Sequence, residues 1–133
     1  KEMIKVGQAP KKSKVVILGL TFKENCPDTR NSKVDDIIKR LNEYGIEPEV
    51  VDPWASERDA MHEYGVKLTA LDKVKDADCV IVAVAHNEFK ALGLDEIKKL
   101  YKKSADDEKV LIDVKGIYKV SELNASGMTY WRL

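Results

Sequence analysis

Seven consecutive apolar residues, Cys79-Val80-Ile81-Val82-Ala83-Val84-Ala85, form the longest apolar run in the chain and constrain its fold more than any other feature. The run shows no alternation of apolar with polar residues, so a strand made from it must be covered on both faces. Such a strand belongs at the centre of a parallel sheet with helices on either side. Two shorter runs repeat the pattern, Val15-Val16-Ile17-Leu18 and Val110-Leu111-Ile112-Asp113-Val114. Segments of helical spacing lie between them: Val34, Ile37, Ile38, Leu41 and Tyr44, then Leu94, Ile97, Leu100 and Tyr101. Strands alternating with helices predict an α/β protein of three α/β/α layers, Rossmann-like, with a mostly parallel sheet of five or six strands.

The remaining elements fill that frame. A basic, irregular stretch at 1–13 reads as a linker from a preceding domain, and residues 14–133 as the domain itself. Ser32-Lys33-Val34-Asp35 has the spacing of a capping box, and Gly45 follows the helix as its stop. A helix beginning near Ser32 points its positive end back at the loop before it, where it and Arg30 are placed to hold one phosphate. Ile46 to Val51 is a second strand. Asp52 after it invites a ribose-binding reading, which needs a glycine fingerprint upstream that is missing; a turn-former before Pro53 accounts for it better. Ser56 to Tyr64 reads as a short helix, Val66 to Thr69 as a short strand, and Leu71 to Ala77 as a turn or two of helix. Glu63-Tyr64-Gly65 echoes Glu43-Tyr44-Gly45, two uses of one helix-stop signal. Met128 to Leu133 reads as a final edge strand or packed tail.

A chain of 133 residues fits one domain, large enough to bury a real core. Lys plus Arg equals Asp plus Glu at 23 each, so no overall charge draws the protein to nucleic acid or to an anionic membrane. Anion binding must therefore be local. No apolar run approaches the roughly 20 residues of a membrane span, and no signal peptide is visible, which predicts a cytoplasmic location. Two cysteines, Cys26 and Cys79, do not make a disulfide framework. Cys79 reads as a buried small hydrophobe; Cys26 has no histidine near it in the loop and reads as a non-catalytic thiol. No metal site is evident.

The stretch Gly19 to Arg30 follows the first apolar run and precedes the first helix, so it lies at the C-terminal end of a buried strand, where open α/β sheets bind ligands. It is longer than the usual strand-to-helix loop of about 2–6 residues. Lys23 and Arg30 give it two cations and Phe22 a flat apolar surface, a set suited to an anionic ligand with a planar ring. The plainer reading is a solvated loop in which Arg30 pairs with Asp28. Two more strand ends reach the same edge. One brings His86, Asn87 and Phe89, where His86 is either a ligand contact or a structural residue. The other brings Asp113-Val114-Lys115-Gly116, where Lys115 is either a contact or a surface lysine beside a turn.

Gly19-Leu20-Thr21-Phe22-Lys23-Glu24-Asn25, followed by Pro27-Asp28-Thr29-Arg30-Asn31-Ser32, resembles the signature loop of the C-terminal, UDP-sugar-binding domain of the UDP-glucose/GDP-mannose dehydrogenase family, closest in spelling to the UDP-N-acetylhexosamine 6-dehydrogenases. The resemblance runs from about Lys14 to the end. It implies that Phe22 and Lys23 contact the UDP-sugar and that Arg30 reaches the NAD pyrophosphate. It also implies a cationic contact near Lys115, where the family often has Arg, and it marks His86 as a hallmark position without a defined role. The resemblance further implies an NAD-dependent enzyme that oxidises a UDP-sugar at C6 in two steps to a UDP-uronic acid for surface polysaccharide. In that family the catalytic cysteine and the G-x-G-x-x-G fingerprint belong to other domains. Neither appears here, and the chain starts at Lys1 rather than at methionine. These features imply a piece of a larger enzyme that provides half of a site and no catalytic residue, and that is inactive alone. Its partners would be the N-terminal and central domains of the same enzyme, in a parent that is a homodimer or higher.

UDP-N-acetylglucosamine is the first substrate expected, with UDP-N-acetylmannosamine or UDP-glucose as alternatives. Two other classes compete with the dehydrogenase. A stand-alone nucleotide- or CoA-binding module would need a complete pocket within the chain. An interaction domain would use Trp54, Tyr130 and Trp131 as interface anchors.

Overall fold

The computed structural model describes residues 13–133, so the expected linker lies, apart from Ser13, outside the described residues. The three apolar runs become β1 (Val15–Leu18), β3 (Cys79–Val82) and β4 (Val110–Asp113), with β2 (Glu49–Val51) and β5 (Thr129–Arg132) completing the sheet. The strand order is β2-β1-β3-β4-β5, and every pairing is parallel. Val15 pairs with Cys79 and Leu18 with Val82, so β1 and β3 run in register along their length.

The strand expected over Val66 to Thr69 is reduced to a single parallel bridge, Leu68 to Val50, with the Thr69 N–H donating to the Val50 carbonyl at 2.8 Å. This short segment lies outside β2. Counting it, the sheet has the Rossmann order 3-2-1-4-5-6, and the order reverses between β1 and β3.

Helices α1 (Val34–Glu43) and α2 (Glu57–Tyr64) cover one face. Val34, Ile38 and Ala60 pack there with Val15, Ile17, Val50 and Ile81. The chain then crosses over. The short helices α3 (Asn87–Lys90) and α4 (Leu94–Lys98), with α5 (Val120–Ser126), cover the other face. Phe89, Ile97 and Leu123 pack there with Val16, Leu18, Val80 and Leu111. Alternate residues of β1 thus serve opposite cores, as the unbroken apolar run requires. The segment at Leu71 to Ala77 holds only one 3₁₀ turn, Leu71–Lys73. Helix α5 has no clear sequence signal, because Leu123 is its one buried residue.

Among the described residues no helix is long and apolar enough to cross a membrane, and no group of His, Cys, Asp and Glu side chains forms a metal site.

Candidate functional site

The loops after β1, β3 and β4 emerge side by side at the C-terminal edge, at and beside the point where strand order reverses. Adjacent strands are spaced about 4.8 Å apart, so the ends of β1 and β4 stand roughly 10 Å from each other. A separate recess of about 640 Å³, lined by Asn42, Ile46, Glu49, Tyr64 and Lys67, opens beside the start of β2.

The long loop leaves β1 at Gly19, whose φ is +110°, and is then held at two ends. At its start, the carboxylate of Asp52 takes the N–H groups of Leu20 and Thr21 on Oδ2 at 2.6 and 3.0 Å. The other oxygen, Oδ1, takes those of Trp54 and Ala55 at 2.8 and 3.2 Å. Asp52 therefore ties the loop after β1 to the turn after β2, a function well beyond that of a turn-former. His86 Nε2 also stands 3.0 Å from Asp52 Oδ2, with neither side chain exposed. Burial pushes the Asp52 carboxyl up, but the hydrogen bonds from His86 and from the Leu20 and Thr21 amides outweigh it and hold it below its ordinary value.

At the far end of the loop, Thr29 Oγ1 donates to Glu63 Oε2 at 3.1 Å. The Tyr64 hydroxyl donates to the Thr29 carbonyl and accepts the Ser32 N–H at 3.0 Å. The last two residues of α2 thus anchor the loop. Tyr44, the residue just after α1, is exposed, with Arg40 over its ring. The two Glu-Tyr-Gly sequences share a helix stop and nothing more.

Between these anchors Phe22, Lys23 and Glu24 are exposed, Phe22 at 55%. Lys115 is also exposed, just past β4 and beside Gly116, whose φ is +64°. Arg30 is exposed and forks onto Asp28, Nε to Oδ1 at 3.0 Å and Nη2 to Oδ2 at 3.1 Å. The pairing in the plainer sequence reading is therefore present. Cys26 is half-buried in the loop and Cys79 is buried in β3.

Two expectations meet a different geometry. His86, read as either a substrate contact or a structural residue, lies beneath the loop, fully buried, with both ring nitrogens bonded inside the protein. The start of α1, read as a phosphate holder with Arg30, has its first amides occupied. Val34 N–H bonds Ser32 Oγ, while Asp35 and Asp36 N–H bond the Ser32 and Lys33 carbonyls. Asp35 and Asp36 add negative charge to that turn.

Sequence reasoning missed Asp52 as a hub, because the partners on its Oδ2, Leu20, Thr21 and His86, lie 31 to 34 positions away along the chain. It also missed Arg132. The Arg132 guanidinium bonds the carbonyls of Tyr118 at 2.9 Å and Gly116 at 3.3 Å and supports the Lys115 turn. Trp54, read as an interface anchor in the interaction-domain alternative, is 36% exposed and also has partners within the chain. Its indole N–H bonds Glu88 Oε1 at 2.9 Å, and its ring stacks on His86 with centroids 6.1 Å apart.

Fold and site together define a doubly wound α/β domain that presents an aromatic residue and separate cations on exposed loops at the C-terminal edge of its sheet. The chain belongs to the UDP-glucose/GDP-mannose dehydrogenase family, whose UDP binding domain matches residues 16–120. It is 50% identical over 103 residues to a UDP-N-acetyl-D-glucosamine 6-dehydrogenase of Pseudomonas aeruginosa, covering 77% of this chain and 24% of that protein. A Salmonella typhi protein of the same name is 41% identical over 115 residues, covering 86% of this chain and 26% of that protein. Among solved structures, an NDP-N-acetyl-D-galactosaminuronic acid dehydrogenase of Methanosarcina mazei Go1 superposes with a TM-score of 0.82 at 25% identity, over 98% of this chain and 26% of that one. The chain thus spans about a quarter of the length of the relatives it matches.

Proposed function

We propose that this domain clamps the UDP end of the substrate in an NAD-dependent UDP-N-acetyl-D-glucosamine 6-dehydrogenase, an enzyme making a UDP-uronic acid. The observation that carries this reading is the pair Phe22 and Lys23, both exposed on a loop whose two ends are fastened to buried or half-buried groups. An aromatic face takes a planar base, and an ammonium takes phosphate oxygen. Lys115, exposed just past β4 on the same edge of the sheet, supplies a second cation. A charge-assisted hydrogen bond contributes about 1.5–3 kcal/mol, so two of them, less the cost of ordering the ligand, give weak binding by this domain alone. Binding at the remote end of the substrate positions the reacting sugar and performs no chemistry. The name of the 50% identical relative favours N-acetylglucosamine as the sugar.

Arg30 fits a single pyrophosphate contact of NAD, because its guanidinium is exposed and an anion can replace Asp28 in its fork. NAD, when bound, accepts the hydride. With no G-x-G-x-x-G sequence in these 133 residues, its other contacts fall to the companion domains. The parent enzyme in this reading is a cytoplasmic homodimer or higher assembly.

Titrating the ¹⁵N-labelled chain with UDP and then NAD tests the proposal. The expected result is millimolar UDP binding with amide shifts at Phe22, Lys23 and the Lys115 turn. Lys23→Ala should weaken it about tenfold or more. No NADH should form with UDP-N-acetylglucosamine. Shifts that avoid these residues, or none at millimolar UDP, would overturn it.

A further inference from the structure

The geometry points to His86 as the positioning residue of the substrate loop: its neutral imidazole is the core around which Thr21 to Asn25 are wound. The inference rests on the reading of that loop as the UDP contact, but its structural content can be tested separately. His86 Nδ1 stands 2.9 Å from the backbone nitrogen of Asn25. A backbone amide can only donate, so Nδ1 carries a lone pair and the ring proton sits on Nε2. There it faces Asp52 Oδ2 at 3.0 Å and Thr21 Oγ1 at 3.1 Å. The Thr21 hydroxyl hydrogen is directed elsewhere, to the Lys23 carbonyl at 3.0 Å, so its oxygen is free to accept from the ring.

One tautomer satisfies all three partners. A proton on Nδ1 would meet the Asn25 N–H head-on, and the bare Nε2 of that tautomer would face a carboxylate. The winding is closed from the other side as well. Asn25 takes a left-handed φ of 54° and accepts the N–H of Asn87, the residue after His86, on its Oδ1 at 2.9 Å. Trp54 stacks on the ring with centroids 6.1 Å apart, and Phe89 meets it tilted with centroids 5.5 Å apart. Three residues bridge the two points where the loop grips the ring. They are Phe22, Lys23 and Glu24, the exposed ones. A fully buried histidine therefore sets where the ligand-facing side chains stand while touching no ligand itself.

Asparagine at 86 places an oxygen near the Nδ1 position and can still accept from Asn25. Glutamine reaches toward Asp52 and loses that acceptor, and leucine loses both bonds. The test measures the ring ¹⁵N shifts of His86, the coupling across the Asn25 N–H to Nδ1 hydrogen bond, Asn25 amide exchange and UDP affinity. It uses the wild-type chain and the variants His86→Asn, His86→Gln and His86→Leu. In the wild type the expected signature is a neutral Nε2–H ring with a measurable coupling to Asn25. His86→Gln and His86→Leu should speed Asn25 exchange about tenfold or more, the equivalent of one lost buried hydrogen bond. Both should weaken UDP by a similar factor, and His86→Asn should recover most of each loss. An Nδ1–H ring, or Asn25 exchange and UDP affinity unchanged in His86→Leu, would overturn the inference. If His86→Leu does not fold, the wild-type signature and the contrast between Asn and Gln decide. If the wild type binds no UDP, the substrate reading fails, and the tautomer and exchange measurements still decide the place of His86.

Discussion

Tyr64 grips both ends of a four-residue turn, donating its hydroxyl to the Thr29 carbonyl and accepting the Ser32 amide. The phenol is the hinge pin between α2 and the far end of the signature loop. Tyr64→Phe keeps the ring and removes both bonds, and should cost about 1–3 kcal/mol in chemical denaturation. It should also speed Ser32 amide exchange. Tyr44→Phe, the same change at the echoed position, should stay within about 0.5 kcal/mol of wild type, because that phenol is exposed. Equal effects of the two would show that Tyr64 does not anchor the loop.

The Asp52 hub predicts a large effect from an isosteric change. Asp52→Asn turns one oxygen into a donor facing amides and a ring N–H that are donors themselves, and should cost about 3 kcal/mol. The pH dependence has a definite sign. The folded carboxyl is held below its unfolded value, so its contribution is complete above an unfolded value of about 3.9 and is lost as pH falls through the lower, folded one. In urea titrations the wild type should lose stability below about pH 4 more steeply than Asp52→Asn. Parallel curves would exclude Asp52 as a source of acid sensitivity.

How much of this was legible in the sequence depended on the range of the interaction. Strands β1, β3 and β4 and helix α1 were visible, because unbroken β-branched runs and 3.6-residue spacing are local patterns. Helix α5 was not, since Val120 is exposed and Leu123 alone marks its buried face. The segment at 66–69 carries strand composition but stands at the outer margin of the sheet, where a single bridge forms. The exposed residues of the candidate site, Phe22, Lys23 and Arg30, could be picked out by type and place. Their supports could not. Asp52, His86 and Tyr64 work through partners 31 to 65 positions away, and nothing local distinguishes a buried hub from a turn residue.

The Arg30 to Asp28 fork lies in solvent, so it should affect titration and not stability. The Arg30 side-chain hydrogen bond is the main cause holding the Asp28 carboxyl below its ordinary value. Arg30→Ala should return that value toward the usual carboxylate range in a ¹³C-detected titration and leave the denaturation midpoint unchanged. A clear loss of stability would mean that Arg30 has a further structural partner.

Gly19 is where β1 leaves the sheet, its N–H bonded to the Val51 carbonyl at 2.7 Å and the preceding Leu18 carbonyl shared by the amides of Ala83 and Val84. Its φ of +110° is one that L side chains rarely adopt. A Cβ there would stand 2.5 Å from Val84 Cβ and 2.8 Å from Val84 N. The backbone atom belongs to the chain leaving β3 and cannot yield as a rotamer can. Gly19→Ala should therefore cost about 3 kcal/mol or more, combining backbone strain with overpacking. Gly65 provides the control. It also has a positive φ, +66°, but nothing stands within 4 Å of an added Cβ, so Gly65→Ala should cost only about 1 kcal/mol. Val84→Ala removes the Cγ2 contact but leaves Val84 Cβ and N in place, so Gly19→Ala/Val84→Ala should recover little of the loss. Recovery of most of it would place the conflict in the valine methyl group and not in the close approach of two backbones at the switch point.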